Sequence, residues 1–400
     1  MKKQLLFTCA TALSAVAMLF YPSSAQTTAT SSRVSFLYFS RYTPGYDALI
    51  GGKTQIEGYS VAADGSLTKI SGAPFAVKGS TTQMCSNNKF LFADTHIEQT
   101  DNSYPKKINS YRIASNGALS LSHVLGNVNA TNITLDHNGE TLYAEKFGLE
   151  DLLAYEVRWT DGGLEYLGNT YSPSLQYQLP FFDAPLTFTS DNKYAYSNTA
   201  DGYLRAGNHS LIDLHLGNPD VFSYETAADP NGNLAGLTKG IANGVDTFGI
   251  VSYKVKADGS LTTSWNSGTG TLITLKDVNS LSMSPSGKIL AVGGFGGVQL
   301  LHWNGASAAT AFKTLPIKSY PAISSDLPGG PGEAVVLDWD NANHLFAYVE
   351  STEPGQTGYL YVWNVTPTGA TSAPGSPHAF SGAISTVVDG PGLTVLSLTH

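Results

Sequence analysis

Short apolar runs separated by turns follow one another along the whole chain, and their pattern repeats. In one recurring segment, alternating side chains lead into an Asp-Gly, Asn-Gly or Gly-Gly turn and then into a second short run. Each copy predicts an antiparallel hairpin, because alternation suits a half-buried strand and these dipeptides reverse the chain. The copies are GYSVAADGSL at 58–67, SYRIASNGAL at 110–119, AYEVRWTDGGL at 154–164, SYKVKADGSL at 252–261 and a weaker YVWNVTPTGA at 361–370.

A second kind of hairpin precedes the first kind in each repeat. It joins a short strand, a turn and an apolar strand, as in NITLDHNGETLYAEKF. Two hairpins in each repeat give four strands, and four-stranded units arranged radially define a β-propeller. These inner hairpins are predicted at 82–96, 132–147, 185–200, 280–295 and 334–351, with a less regular copy at 221–240.

The two ends of the chain complete the pattern. A single strand at 33–42 leads into the first outer hairpin, and the segment 383–400 resembles an inner pair. We therefore predict an all-β domain over residues 26–400, a seven-bladed propeller of four-stranded antiparallel blades closed by N- and C-terminal strands. Six blades remain the alternative, because residues 203–217 must supply the outer strands of one blade in a short stretch.

The first residues have the pattern of a secretory signal peptide. Lys2 and Lys3 precede an apolar run at 5–20, and small residues follow at 23–25. We expect residues 1–25 to be removed and the product to be periplasmic or secreted. No other apolar stretch is long enough to span a bilayer as a helix, so we expect no membrane partner.

Charge and cysteine content narrow the function further. Charged residues make up 13% of the chain, against about 25% in typical domains. Loss of Lys2 and Lys3 would change the net charge from -9 to -11, which argues against a nucleic-acid partner. Only Cys85 would remain after processing, so we expect a buried thiol, no intramolecular disulfide and a monomer.

The combined repeat resembles a known family. The inner pattern ending in Leu-Tyr-Ala-Glu, followed by Tyr-x-Val-x-x-Asp-Gly-Ser-Leu, is similar to the lactonase-type seven-bladed propellers. These include the propeller form of 6-phosphogluconolactonase, the carboxymuconate-lactonizing enzymes and proteins with YVTN-type repeats. The resemblance implies lactone chemistry at the central face. The chain lacks the family's Gly-Pro-Arg-His segment, whereas Glu145 and Glu350 stand where the family's acidic residue is expected.

Residues that leave the second strand of each blade should meet on one face around the central channel, where loops concentrate function. A base there would activate water, and a cation would stabilise the oxyanion that forms on a lactone carbonyl. The sequence predicts a lactonase (hydrolase) site without cofactor or metal, which hydrolyses or isomerises a sugar or aromatic-derived lactone. The candidate bases are Glu145, Glu350 and His96, and the candidate cations are Arg41 and Lys146.

Two alternatives stay open at this level. Glu145, Asn198 and Glu350 are oxygen donors that suit calcium, provided that they converge. The propeller is otherwise a binding module without catalysis that presents aromatic rings to a carbohydrate, or its central face to a protein. Convergence of the candidate side chains would favour catalysis, whereas binding tolerates their separation.

Overall fold

The computed structural model describes residues 34–42, 54–77, 79, 81, 83–96, 106–128, 130–146, 151–171, 186–197, 202–214, 223–242, 245–263, 270–318, 333–350, 358–380 and 393–398. Every regular element in these residues is a β-strand, and none is a helix that could cross a membrane. The strands form seven antiparallel blades of four strands each, which confirms the predicted propeller. We name the blades A to G in chain order.

Blade A joins the two ends of the chain. Its innermost strand is the C-terminal β31, which pairs along its length with the N-terminal β1; Phe36 lies opposite Leu396. The predicted closure is therefore confirmed. The strands, from the channel outwards, are β31 (Leu393–Leu398), β1 (Val34–Tyr42), β2 (Thr54–Val61) and β3 (Leu67–Lys69), with the short β4 (Phe75–Ala76) also pairing with β2.

Blades B, C and D follow in sequence order, each with its first strand innermost. The short stretch expected at 203–217 does supply the two outer strands of blade D. Blade B contains β5 (Met84–Ser86), β6 (Phe90–His96), β7 (Lys106–Ile113) and β8 (Leu119–Leu125); blade C contains β9 (Ala130–Leu135), β10 (Thr141–Lys146), β11 (Asp151–Val157) and β12 (Leu164–Tyr171); blade D contains β13 (Thr187–Phe188), β14 (Tyr194–Tyr196), β15 (Gly202–Arg205) and β16 (Leu211–Asp213).

Blades E, F and G complete the ring. A single bridge between Phe295 and Glu333 links the sheets of blades F and G. Blade E contains β17 (Ser223–Ala228), β18 (Asn233–Ala242), β19 (Val245–Val255) and β20 (Leu261–Thr262), with β21 (Thr271–Ile273); blade F contains β22 (Lys276–Met283), β23 (Ile289–Phe295), β24 (Gly297–Asn304) and β25 (Ser307–Pro316); blade G contains β26 (Glu333–Trp339), β27 (His344–Glu350), β28 (Gly358–Thr366) and β29 (Gly369–Ser372), with β30 (His378–Phe380).

The core lies between the blades, which explains why the second strands are apolar on both faces. Successive side chains of a strand point to opposite faces of its sheet. Along β1, Phe36 and Tyr38 pack with blade B, whereas Leu37 and Phe39 pack with blade G. All four are fully buried. Such a strand appears in the sequence as a continuous apolar run rather than an alternating one.

The outer hairpins turn as their sequences predict. In blade A the amide of Gly65 donates to the carbonyl of Ala62, and the Asp64 carboxylate accepts from the amide of Ser66 at 3.0 Å. Gly65 has a φ of 80°, a conformation that glycine adopts without the cost a side chain would add. Similar carboxylate or amide caps recur at Asn116 and Asp258.

Neighbouring blades are joined by tyrosines on the second strands. The Tyr38 hydroxyl of blade A donates to the Gly117 carbonyl of blade B at 2.6 Å, and Tyr196 of blade D donates to Gly259 of blade E at 2.8 Å. Each bond reaches the outer turn of the next blade. These contacts fix the blades against one another and hold the channel face in place.

Candidate functional site

The predicted site residues lie at the ends of second strands. Arg41, His96, Lys146 and Glu350 are the last or next-to-last residues of β1, β6, β10 and β27, and Glu145 precedes Lys146. All four strands are second from the channel and run in the same direction, so their ends reach one face of the ring. The side chains of His96, Lys146 and Glu350, and the whole of Asn198, lie outside the described residues.

Glu145 is the best defined of the predicted residues. It pairs in register with Asn132 on the innermost strand β9, and the Asn132 amide donates to Oε2 of Glu145 at 2.8 Å. Burial raises the pKa of Glu145, while this hydrogen bond and the positive charge of Lys106 on blade B act in the opposite direction. Asn132 therefore holds the carboxyl group in place, and a carboxyl group whose pKa is raised by burial is a candidate general base.

Asp94 occupies the position of Glu145 in blade B. The segments FLFAD (90–94) and TLYAE (141–145) begin their strands and occupy equivalent positions in the repeat. Asp94 is 1% exposed, and its Oδ1 accepts from the amide of Gln83 at 2.6 Å. The Gln83 side chain in turn accepts from the amide of Ile133 in blade C at 2.7 Å. A chain of hydrogen bonds therefore crosses the junction of blades B and C beside the channel.

On strand β6 the sequence analysis selected His96 as a candidate base rather than Asp94. His96 lies opposite Lys106 in the strand register, and Lys106 is the cation that acts on Glu145. Lys106 and Asn132 were not selected from the sequence, although the repeat itself would have shown that Asp94 and Glu145 are equivalent. The structure thus adds Asp94, Asn132 and Lys106 to the candidate site.

Arg41 makes a contact that the sequence prediction did not include. One guanidinium nitrogen lies 3.1 Å from Oε1 of Glu57 and 3.4 Å from Oε1 of Gln55, both on the next strand outwards. Glu57 is 2% exposed and also pairs with Lys69 at 3.0 Å. A role for Arg41 at an oxyanion stays a prediction, and Glu57 competes for its charge.

A further carboxyl group lies on the innermost strand of blade E. Glu225 accepts a hydrogen bond from the backbone of Leu281 in blade F, and burial raises its pKa to about 8 although that bond opposes the shift. Its Oε2 is buried without a hydrogen-bond partner among the described residues. The sequence analysis did not identify Glu225.

Two other expectations concern cysteine and metals. Cys85 lies on β5 and packs against the core between blades B and C; burial strongly raises the pKa of its thiol, and Asp94 adds to the effect. This is an unreactive environment for a thiol.

Across the described residues, no three His, Cys, Asp or Glu side chains are grouped as metal ligands. The proposed calcium ligands Asn198 and Glu350 are not covered by that observation.

Comparison with known proteins agrees with this architecture. No family model matches the sequence, and no curated protein matches it. Among solved structures, the chain is similar to two proteins described as "putative 6-phosphogluconolactonase". The one from Bacteroides fragilis has 12% identity, covers 93% of this chain and 99% of its own, and has a TM-score of 0.60. The one from Bacteroides uniformis has 12% identity, 90% and 99% coverage and a TM-score of 0.59.

A structure of different description is nearly as similar. It is a hypothetical selenium-binding protein from Sulfolobus tokodaii, with 11% identity, coverage of 91% of this chain and 94% of its own, and a TM-score of 0.56. At such identities the likeness establishes the fold alone. The class of protein is therefore a seven-bladed β-propeller with the fold of the lactonase-type propellers, and its activity must be argued from the site.

Proposed function

We propose that the protein is an exported, lactonase-like propeller that hydrolyses a sugar or aromatic-derived lactone at the channel face. One observation carries the proposal: Glu145 is a buried carboxyl group of raised pKa, held by Asn132 and close to the charge of Lys106. The similarity of the fold to proteins described as 6-phosphogluconolactonases supports the choice of lactones. Export rests on the signal-like segment at 1–25.

The reaction needs a base, a cation and a proton donor. Glu145 takes a proton from water, and the resulting hydroxide adds to the lactone carbonyl. The negative charge that develops on the carbonyl oxygen is stabilised by a nearby cation, for which Lys106 and Lys146 are the candidates. The tetrahedral intermediate then breaks its bond to the ring oxygen, which takes the proton back from Glu145. The products are a hydroxyl group and a carboxylic acid, which releases its proton to the solvent to become a carboxylate.

The test is turnover of a panel of five- and six-membered sugar and aromatic lactones by the purified protein. We expect Glu145→Gln to lower kcat by about 100- to 10,000-fold, as loss of a general base does. Glu156→Gln is the matched control, because Glu156 is an exposed carboxylate on the same blade. Activity that survives in Glu145→Gln would place the site elsewhere. Absence of turnover by the wild-type protein would favour the binding module.

A further inference from the structure

Two junctions between blades, B–C and E–F, share one polar position on the innermost strands. Counted back from the inner turns, Gln83 of blade B and Glu225 of blade E stand at the same place in their repeats. Gln83 accepts from the amide of Ile133 in blade C, and Glu225 accepts from the amide of Leu281 in blade F. Ile133 and Leu281 are also equivalent. Gln83 therefore joins blades B and C by the same hydrogen bond that Glu225 makes between blades E and F.

The two side chains have similar shape and a carbonyl acceptor in common, but they differ in whether they can ionise. A glutamine amide is always neutral, whereas a glutamic acid is neutral only when protonated. Leu237 lies opposite Glu225 in the strand register, and Leu281, which bonds to Glu225, belongs with Val278 to the apolar core of the E–F junction. An ion buried there without a counter-charge loses its hydration, so the neutral form fits the position and the charged form does not.

Among the described residues, no opposite charge compensates for Glu225. Its strand β17 packs against β13, β18 and β22. Strand β13 carries no charged residue, and Lys239 of β18 is paired with Asp246 at 2.7 Å. Lys276 of β22 is exposed, and the side chain of its neighbour Asp277 lies outside the described residues. Burial is the cause of the raised pKa, the Leu281 amide opposes it, and none of these charges contributes.

We propose that Glu225 joins blades E and F as a neutral carboxylic acid, and that loss of its proton makes this junction a pH-sensitive weak point of the ring. Ionisation leaves a carboxylate whose Oε2 has no partner among the described residues. Water must then enter the junction to solvate it. At the equivalent position of the B–C junction, the Gln83 amide does not ionise.

The sign of the effect follows from linkage. The carboxyl has a pKa of about 8 in the folded protein and an ordinary value of 4.5 when exposed. The unfolded state therefore ionises first as the pH rises. The stabilisation from the neutral form is complete below 4.5, is lost progressively up to about 8 and is absent above it.

Exchange of the two side chains tests the proposal. Glu225→Gln keeps the hydrogen-bond acceptor and removes the titration. Relative to this variant, the unfolding constant of the wild type should rise by up to about tenfold per pH unit between 4.5 and 8, then level off. Gln83→Glu should create the same dependence at the B–C junction. The exposed Glu156→Gln is the control and should follow the wild type.

A direct measurement separates this proposal from a general effect of pH. Isotope-edited infrared spectra should show a protonated carboxyl band that disappears near pH 8 and is missing in Glu225→Gln. Hydrogen exchange of β22, corrected for its intrinsic pH dependence, should accelerate above that pH in the wild type only. Identical pH profiles for wild type and Glu225→Gln, or a band lost below pH 5, would overturn the proposal. Neither measurement depends on lactone turnover.

Discussion

Two sectors of the channel face differ although the same strand position builds both. In blades A, B and C, the position of Glu145 holds Ser40, Asp94 and Glu145, all polar. In blades E, F and G it holds Leu237, Gly293 and Tyr348. The strand pairing is equivalent throughout: Tyr143 lies opposite Ala154 in blade C, as Ala235 lies opposite Ser252 in blade E. The scaffold repeats, but its polar chemistry does not.

The loops that follow the second strands also differ in length between blades A and B and blades E and F. In blades A and B they comprise residues 43–53 and 97–105, whereas in blade E only residues 243–244 intervene and in blade F only Gly296. Long connections and polar strand ends coincide in blades A and B, whereas blade C has only residues 147–150 after Glu145 and Lys146, and blade G has residues 351–357 after Tyr348. In a repeat protein, a sector that departs from the common pattern in both respects is where a ligand site is expected, since function concentrates in loops on a rigid scaffold.

The largest expected effect comes from moving a carboxyl group into the apolar sector. Leu237 is fully buried and packs with Phe248 and Leu290. We expect Leu237→Asp to lower the free energy of unfolding by about 3–4 kcal/mol, because the new charge lies among the apolar side chains of this core and opposite the Glu225 carboxyl group in the strand register. Denaturant unfolding at pH 7 measures this. Leu237→Met, which conserves volume, should cost less than about 1.5 kcal/mol.

An aspartate tolerated at position 237 would contradict the distinction between the polar and the apolar sector. Wild-type stability in Leu237→Asp would mean that either sector can hold a carboxylate, and the polar sector would then lose its significance as a site.

The repeat explains how much of this could be predicted from the sequence. Inner hairpins such as 132–147 and the split closing blade follow from alternation and turn residues, which act locally. The equivalence of Asp94 and Glu145 was also present in FLFAD and TLYAE. The contact of Arg41 with Glu57 was not predictable, because it depends on the strand register and on which rotamer the long side chain adopts.

Glu225 was missed for a different reason. It lies in the least regular copy of the inner hairpin, and the pairing of β17 with β18 shifts register between Ser223 and Glu225. Such a bulge shifts the alternation by one residue, so the pattern no longer shows which side chains face the next blade. Burial of this carboxyl group could only be seen once blade F was in place.

A smaller effect is expected from Asp94 in the polar sector. Asp94→Leu removes the acceptor of the Gln83 amide, and we expect a loss of about 1–3 kcal/mol in the free energy of unfolding. Asp94→Asn keeps an oxygen acceptor and should cost less. Chemical denaturation of the three proteins gives the ranking. A gain in stability in Asp94→Leu would show that Asp94 is retained for a ligand rather than for Gln83.

The smallest stability effect, and the most informative, is expected at Glu145. Its pKa is raised in the folded state by burial, so its ionised form destabilises the fold as the pH rises. Glu145→Gln keeps an acceptor for Asn132 and should gain up to about 1 kcal/mol at pH 8, as is common when a strained functional group is replaced. At pH 4, where both states of the wild type are largely protonated, the gain should shrink. Thermal unfolding of both proteins across this range measures it.

A structural carboxylate would give the opposite sign, because its loss would destabilise the protein at high pH. Stability gained together with turnover lost would identify Glu145 as a residue kept for function, and stability lost at pH 8 would assign it to the scaffold.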